Sequence, residues 1–466
     1  FTLDTASAAA NGIRERTKTP YFLSVADLLI RAVSEDGSSD IEIESHKQEL
    51  CCYKNYLYGP DPAIPNGAPQ VVMTGGSNNC GGKCSIRTEI QDGCLIRLET
   101  GCGIGAPSLR ACVRGNSYRQ TYMSGQRLRY PMKRVGERGE GRFKRISWDE
   151  ALDTIADEWV RIRDTYGVGS RYVNYGLGIN AAMRPDLMAK RLFAVDGGFL
   201  DFYGSYSFAC AQFITPYIYG DGFSGNSIED LLNTKYLLLW GHNPSETIYS
   251  PQGNYLIAQA KEKGAKVVVI DPRKSDTVLA VADEWIPIRP STDAALCAAM
   301  AYVIWSEGLH DQRFMDTFCL GFDEDHMPAD VDKRQNYRAY LFGELDGIAK
   351  TPEWGEKVTG VPAETIRHIA VDYATSKPAC LFPGLGNQRT ANGEQNVRAM
   401  AALCCLTGNV GIPGGSAAGF GMAREERRPL FPVGRNPYGA AISCFLWTEA
   451  IRRGHELTAM NDGVQG

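Results

Sequence analysis

The sequence predicts an α/β protein: doubly wound, mostly parallel sheets with helices on both faces. Three observations lead there. Residues 235–240 and 265–270 are continuous apolar runs, not alternating ones, as strands buried on both faces require. Each run passes into a polar loop and then into helical periodicity, the βα alternation of a parallel sheet. A third run, 294–305, is apolar over 12 residues, which suits a buried helix and falls short of the ~20 residues needed to cross a bilayer.

The elements follow in order. Residues 1–70 read as an N-terminal extension, with a helical apolar period over 21–33 and a Pro- and Gly-rich loop over 58–67. Residues 71–135 form a cysteine-containing domain with many glycines and little helix. Ser147 caps a helix over 148–166 that places Ile155, Trp159 and Ile162 on one face, and a strand over 171–175 follows. Helices are expected over 254–263, 293–306, 361–376 and 393–407, and strands over 285–288 and 379–382. The expected domains are 136–207 with 375–430 as a first α/β domain, 208–374 as a second inserted one, and 431–466 as the start of a truncated C-terminal part.

Composition narrows the function. The 466 residues carry 49 basic and 54 acidic side chains, a net charge of −5 that offers no electrostatic reason to propose nucleic acid. The first residue is Phe1, so no targeting signal can be read. Fourteen cysteines is a high count for an α/β chain. Cys297, Cys404 and Cys405 sit within apolar helical patterns and read as small buried hydrophobes.

The chemistry-bearing cysteines lie earlier. Cys80-Gly-Gly-Lys-Cys84 is a Cys-x3-Cys, and Cys112 follows after 27 intervening residues. Glycines between ligands let the backbone wrap an iron–sulfur cluster and aim amides at its sulfurs. Unrelated thiols in a loop domain are the plain alternative, and zinc would more often use Cys-x2-Cys pairs.

Two further loops end the buried strands: Gly241-His242-Asn243-Pro244-Ser245-Glu246-Thr247 and Asp271-Pro272-Arg273. The carboxyl edge of a parallel sheet is where nucleotides bind. There Asp271 can accept from ribose or guanine donors, and Arg273 can face a pyrophosphate. An ordinary turn reads equally well from these residues alone. Gly176-Leu-Gly178-Ile-Asn-Ala181 fits a dinucleotide fingerprint, but no ribose-binding acid follows in the right place. The stretch 203–210, Tyr-Gly-Ser-Tyr-Ser-Phe-Ala-Cys, passes from a short apolar piece into a helix and presents Ser205, Ser207 and Cys210.

Taken together, CGGKC (80–84), RACVRG (110–115), RYPMKRVGERGEG (129–141), FYGSYS (202–207), LLLWGHNPSET (237–247), VVVIDPRKSDT (267–277), DEWIPIRPSTDAAL (283–296), KTPEW (350–354) and LTGNVGIPGG (406–415) resemble the dimethyl sulfoxide reductase family of molybdopterin oxidoreductases. The resemblance is nearest to the catalytic subunit of its membrane-associated members, and residues 1–70 lie outside it. It implies Rossmann-like sheets, a small N-terminal iron–sulfur domain, and a C-terminal β-barrel that this chain lacks. It also implies molybdenum held by two molybdopterin guanine dinucleotides, with Ser207 as the metal ligand and a [4Fe–4S] cluster on Cys80, Cys84 and Cys112. Arg114 would lie between cluster and pterin. Gly241, His242, Asn243, Pro244, Glu246, Thr247, Asp271, Pro272, Arg273 and Asp293 would serve one dinucleotide, and Gly384, Gly386, Gln388, Arg389 and Asn409 the other. Ser205 is left as a neighbour of the site and Cys210 as a fallback ligand.

The family's fourth cluster cysteine falls at Gly76, with Ser77, Asn78, Cys94 and Cys102 nearby. Another residue completes the cluster, or it has an open iron, or it is absent. The implied reaction is reductive oxygen-atom transfer from a small S-oxide or N-oxide acceptor. Selenate, polysulfide or catechol acceptors, or a non-catalytic fragment, are the alternatives. Implied partners are a ferredoxin-like electron-transfer subunit and a membrane anchor, on the periplasmic face of the cytoplasmic membrane.

Overall fold

The computed structural model describes residues 69–76, 84–91, 94–101, 109–174, 184–222, 224–247, 252–419 and 431–466. The expected helix over 21–33 and the fingerprint at 176–181 lie outside them, as do Cys80, Cys102, Ser77 and Asn78. The chain divides into two units. One takes 1–79, 83–203 and 428–466; the other takes 80–82 and 204–427.

The first unit begins with an antiparallel sheet of β1 (Gln70–Gly75), β2 (Ser85–Gln91) and β3 (Cys94–Thr100), in that order. Helix α1 (Val113–Met123) follows, where little helix was expected. Strands β4 (Met132–Arg134) and β5 (Phe143–Arg145) form a small antiparallel hairpin.

Helix α2 (Trp148–Tyr166) starts as the sequence predicts, with the Ser147 hydroxyl accepting from the Glu150 amide at 3.1 Å. Its buried face is the expected one at Trp159, with Ile162 partly buried, but not at Ile155. Ile155 is 60% exposed, whereas Ala156 and Trp159 are buried. The buried side centres on Asp196, which accepts from the Trp159 indole at 2.8 Å, Arg163 at 2.6 Å and Arg171 at 2.6 Å. A buried carboxylate must be paired, and the helix turns its partners toward it. The predicted strand over 171–175 is a single bridge between Tyr172 and Leu200. After α3 (Pro185–Val195), β6 (Asp201–Tyr203) pairs in parallel with Ala441–Ser443.

The second unit holds the parallel sheet. Helix α4 (Ala209–Tyr219) precedes β7 (Tyr236–Trp240), α5 (Gln252–Glu262), β8 (Lys266–Ile270), α6 (Asp276–Val281) and β9 (Glu284–Ile286). Then come α7 (Asp293–Ser306), α8 (Ala363–Thr375), β10 (Ala379–Pro383) and α9 (Gly393–Leu406). The strand order is β10-β7-β8-β9, and every pair is parallel. This corrects the expected division: 379–383 hydrogen-bonds β7, so it belongs with 208–374 and not with 136–207.

The continuous apolar runs now have their reason. Tyr236, Leu238, Trp240, Val268 and Ile270 pack against α7, α8 and α9 on one face. Leu237, Leu239, Val267 and Val269 pack against α5 and α6 on the other. No helix among the described residues is long and apolar enough to cross a membrane.

Candidate functional site

From β7 the chain proceeds to β8 and β9 on one side, then returns to place β10 on the other flank. The point where the order reverses lies between β7 and β10, and ligands of such sheets sit outside the carboxyl ends of those two strands. The loops there are 241–247 and 384–389. They touch backbone to backbone: a Cβ on Gly384 would drive into the Gly241 carbonyl and lie 2.7 Å from His242 Cα. Gly241 itself has φ +58°, the left-handed region.

The 241–247 loop is pinned from below. Asn243 Oδ1 accepts from the Thr277 hydroxyl at 2.7 Å, and the Ser245 amide donates to the same hydroxyl at 3.1 Å. Asn254 Nδ2 donates to the Pro244 carbonyl at 3.3 Å. His242 stacks on Phe382 with ring centroids 4.1 Å apart, and burial pushes its pKa down to about 4. It is therefore a neutral imidazole near pH 7. At the end of β8, burial raises the Asp271 carboxyl above its usual range; its Oδ1 accepts from the Arg273 amide at 2.9 Å. The Arg273 guanidinium reaches Glu246 at 2.6 Å, so Glu246, Asp271 and Arg273 meet at this edge.

Ser207 comes to the same edge. Its carbonyl accepts from Gln388 Nε2 at 2.8 Å and from Arg389 Nε at 3.0 Å. The two serines then part. Ser205 is 4% exposed, and its hydroxyl accepts from the Ser207 amide at 3.1 Å. The Ser207 hydroxyl is half-buried and has no hydrogen-bond partner among the described residues. Cys210 turns its thiol to the first turn of α9, where burial and the Glu394 charge hold it protonated, above its ordinary range. Arg389 leaves its two terminal nitrogens without a partner among the described residues.

Three expected dinucleotide contacts have other partners. Asp293 is 6% exposed and accepts from the Trp240 indole at 2.8 Å, with burial raising its pKa. Asn409 sits at the opposite edge of the sheet. Its Oδ1 accepts from the Ala379 amide at the start of β10, and its Nδ2 donates to Thr407, so it ties that strand's amino end to the 407–409 turn. Gln388 is 3% exposed with its amide fully engaged inside the protein. Gly386 and Pro244 lie in the two loops, and Thr247 closes a turn on the Asn243 carbonyl at 2.8 Å. Pro272 lies between Asp271 and Arg273. Asn387 was not foreseen. It donates to the Trp240 carbonyl at 3.3 Å and keeps a buried Oδ1 without a hydrogen-bond partner among the described residues.

The residues present fit a molybdenum–pterin group in two respects: a serine hydroxyl uncommitted among the described residues, and polar loops that meet at the reversal point. The cluster set is different. Gly76 donates its amide to the Cys84 carbonyl at 2.7 Å, and any Cβ on it would overlap Cys84 Sγ. Position 76 thus lies against the thiol but brings no donor. Cys112 is the N-cap of α1. Burial raises its thiol, but the Gly115 and Arg114 amides and the Arg114 guanidinium outweigh this and leave it below its ordinary range. Ile86 lies beside both Gly76 and Gly115, which puts Cys84 and the start of α1 in one neighbourhood. Cys94 is excluded from it. It pairs with Gln91 at the far end of β2, about 20 Å from Cys84 at ~3.4 Å per residue. Among the described residues no group of three or more His, Cys, Asp or Glu gathers to hold a metal ion, and Cys80 and Cys102 lie outside those residues.

Residues 127–451 match the family described as Molybdopterin oxidoreductase. Dimethyl sulfoxide reductase DmsA of Haemophilus influenzae is 46% identical over 416 residues, covering 86% of this chain and 52% of its own length. DmsA of Escherichia coli is 44% identical over 433 residues, covering 89% and 53%. The chain therefore spans about half the length of the curated relatives it matches. Among solved structures, acetylene hydratase from Pelobacter acetylenicus aligns with a TM-score of 0.56 at 25% identity, over 72% of this chain and 43% of that one.

Proposed function

Because this chain belongs to the molybdopterin oxidoreductase family, we propose that the loops at the carboxyl ends of β7 and β10 hold a molybdopterin guanine dinucleotide and that Ser207 Oγ ligates its molybdenum. The observation that carries this reading is the Ser207 hydroxyl, uncommitted while its carbonyl is fixed by Gln388 and Arg389. Serine oxygen is a hard ligand and suits a high-valent metal. Bound there, such a cofactor supplies removal of an oxygen atom from an S-oxide or N-oxide, with two electrons and two protons consumed and water released.

The chain's own residues do the rest. Gly241 and Gly384 let two backbones close on the ligand's edge. Asp271, desolvated at the end of β8, accepts from the N–H and O–H donors of a guanine or ribose. Arg273, held by Glu246 at this edge, would face the pyrophosphate of a bound dinucleotide. The terminal guanidinium nitrogens of Arg389, without a partner among the described residues, would orient an oxygen-bearing acceptor beside Ser207.

Dimethyl sulfoxide reductase relatives at 44–46% identity favour the S-oxide and N-oxide acceptors over the others. Cys80, Cys84 and Cys112 are proposed to bind iron, with Arg114 biasing the Cys112 thiolate. A ferredoxin-like subunit, a membrane anchor and a periplasmic location belong to the same reading. The test is molybdenum analysis of the holoenzyme together with turnover of S-oxide, N-oxide, selenate and catechol substrates against reduced viologen. Stoichiometric molybdenum with S-oxide or N-oxide turnover is expected. A metal-free protein, or activity confined to selenate or catechols, refutes the assignment.

A further inference from the structure

We propose that Gln388 is a positioning residue: it caps α4 from the 384–389 loop and so fixes where the Ser207 hydroxyl stands. The start of α4 has a problem of its own. Its N-cap, Phe208, has no polar side chain to satisfy the first-turn amides. Gln388, 178 residues away in sequence, supplies the acceptor. Its Oε1 accepts from the Cys210 amide at 3.1 Å and the Ala211 amide at 3.4 Å. Its Nε2 donates to the Ser207 carbonyl at 2.8 Å and the Leu385 carbonyl at 3.1 Å.

A glutamine amide offers two donor hydrogens and two acceptor sites, and here all four are taken. The opposite orientation of the amide would set oxygen against oxygen and N–H against N–H, so the partners fix it. At 3% exposure the side chain has no capacity left for a cofactor. It instead grips both sides of residues 208–209: the carbonyl before them and the amides after them. One link at 385 ties that grip to the loop at the reversal point. Movement of the 384–389 loop is thereby passed to the residue bearing the metal-binding hydroxyl. Arg389 Nε supports the same carbonyl at 3.0 Å but touches neither amide.

This inference rests on the reading of Ser207 as the metal's ligand, and the two can fail separately. In the metal-free protein, Gln388→Met should speed hydrogen exchange of the Cys210 and Ala211 amides about tenfold, the effect of losing one buried hydrogen bond. Gln388→Glu should preserve their protection, because a carboxylate still accepts from both. In the holoenzyme both variants should lower kcat about 10–100-fold with little change in KM, and broaden the Mo(V) electron paramagnetic resonance signal into more than one species. A merely structural role would lower Tm and leave kcat and the Mo(V) signal of the folded enzyme unchanged. That result, or unchanged exchange in Gln388→Met, overturns the proposal. If the exchange pattern appears but wild-type protein takes up no molybdenum, the capping stands, while the metal-ligand reading and the positioning role built on it fall.

Discussion

At the scale of single residues, the site is decided by which hydroxyl is already spent. Ser205 and Ser207 are two residues apart and indistinguishable as side chains. One is buried and bonded to a backbone amide, and the other is uncommitted at the sheet's edge. The sequence alone left Ser207 to resemblance, because the bond that separates the two hydroxyls, from the Ser207 amide to Ser205, depends on a local turn, and the groups that fix the Ser207 carbonyl come from about 180 positions away. His242 has a consequence that can be titrated. Its folded-state pKa of about 4 lies below the ordinary 6.5. Between those values the unfolded chain binds the proton more readily, so the stability present above pH 6.5 is lost as pH falls toward 4. The urea midpoint should therefore fall between pH 7 and pH 5, and His242→Gln should flatten that slope. An unchanged slope in the variant would mean that the ring is solvated.

Elements are where the sequence was most legible. Buried strands announce themselves as continuous β-branched and leucine runs, and β7, β8, β10 and α7 fall within a residue or two of their expected bounds. The errors share one physical source, which is tertiary pairing that overrides local pattern. Ile155 satisfied the helical period of α2 but is exposed, while Trp159 of the same expected face is buried with its indole on Asp196. Asn409 lay in a glycine-rich turn of the expected kind but on the wrong edge of the sheet. The contact between the β7 and β10 loops also belongs to this scale. Gly384→Ala should destabilise the protein by about 2–4 kcal/mol, since the clash is with backbone and cannot be relieved by a side-chain rotation. Thermal denaturation measures this. A loss near zero would show that the loops separate freely.

For the molecule as a whole, the open question is how much metal it holds. The β1–β3 sheet gathers Gly76, Cys84 and the loop before α1 at one end and sends Cys94 to the other. Glycine at position 76 brings no donor where the resemblance leads one to expect a cysteine. Iron analysis should accordingly give a cluster with fewer than four cysteine ligands. A Gly76→Cys variant should raise its retention if Cys84 changes rotamer to make room. Full wild-type retention of four irons on chelator challenge would show that a further residue completes the set. The central claim, however, concerns molybdenum on Ser207, and X-ray absorption at the molybdenum edge reads it directly. Holoenzyme carrying Ser207→Ala should keep its pterin and its fold, lose one oxygen ligand at the metal, and fall to background turnover. An unchanged ligand count with wild-type activity would contradict the account.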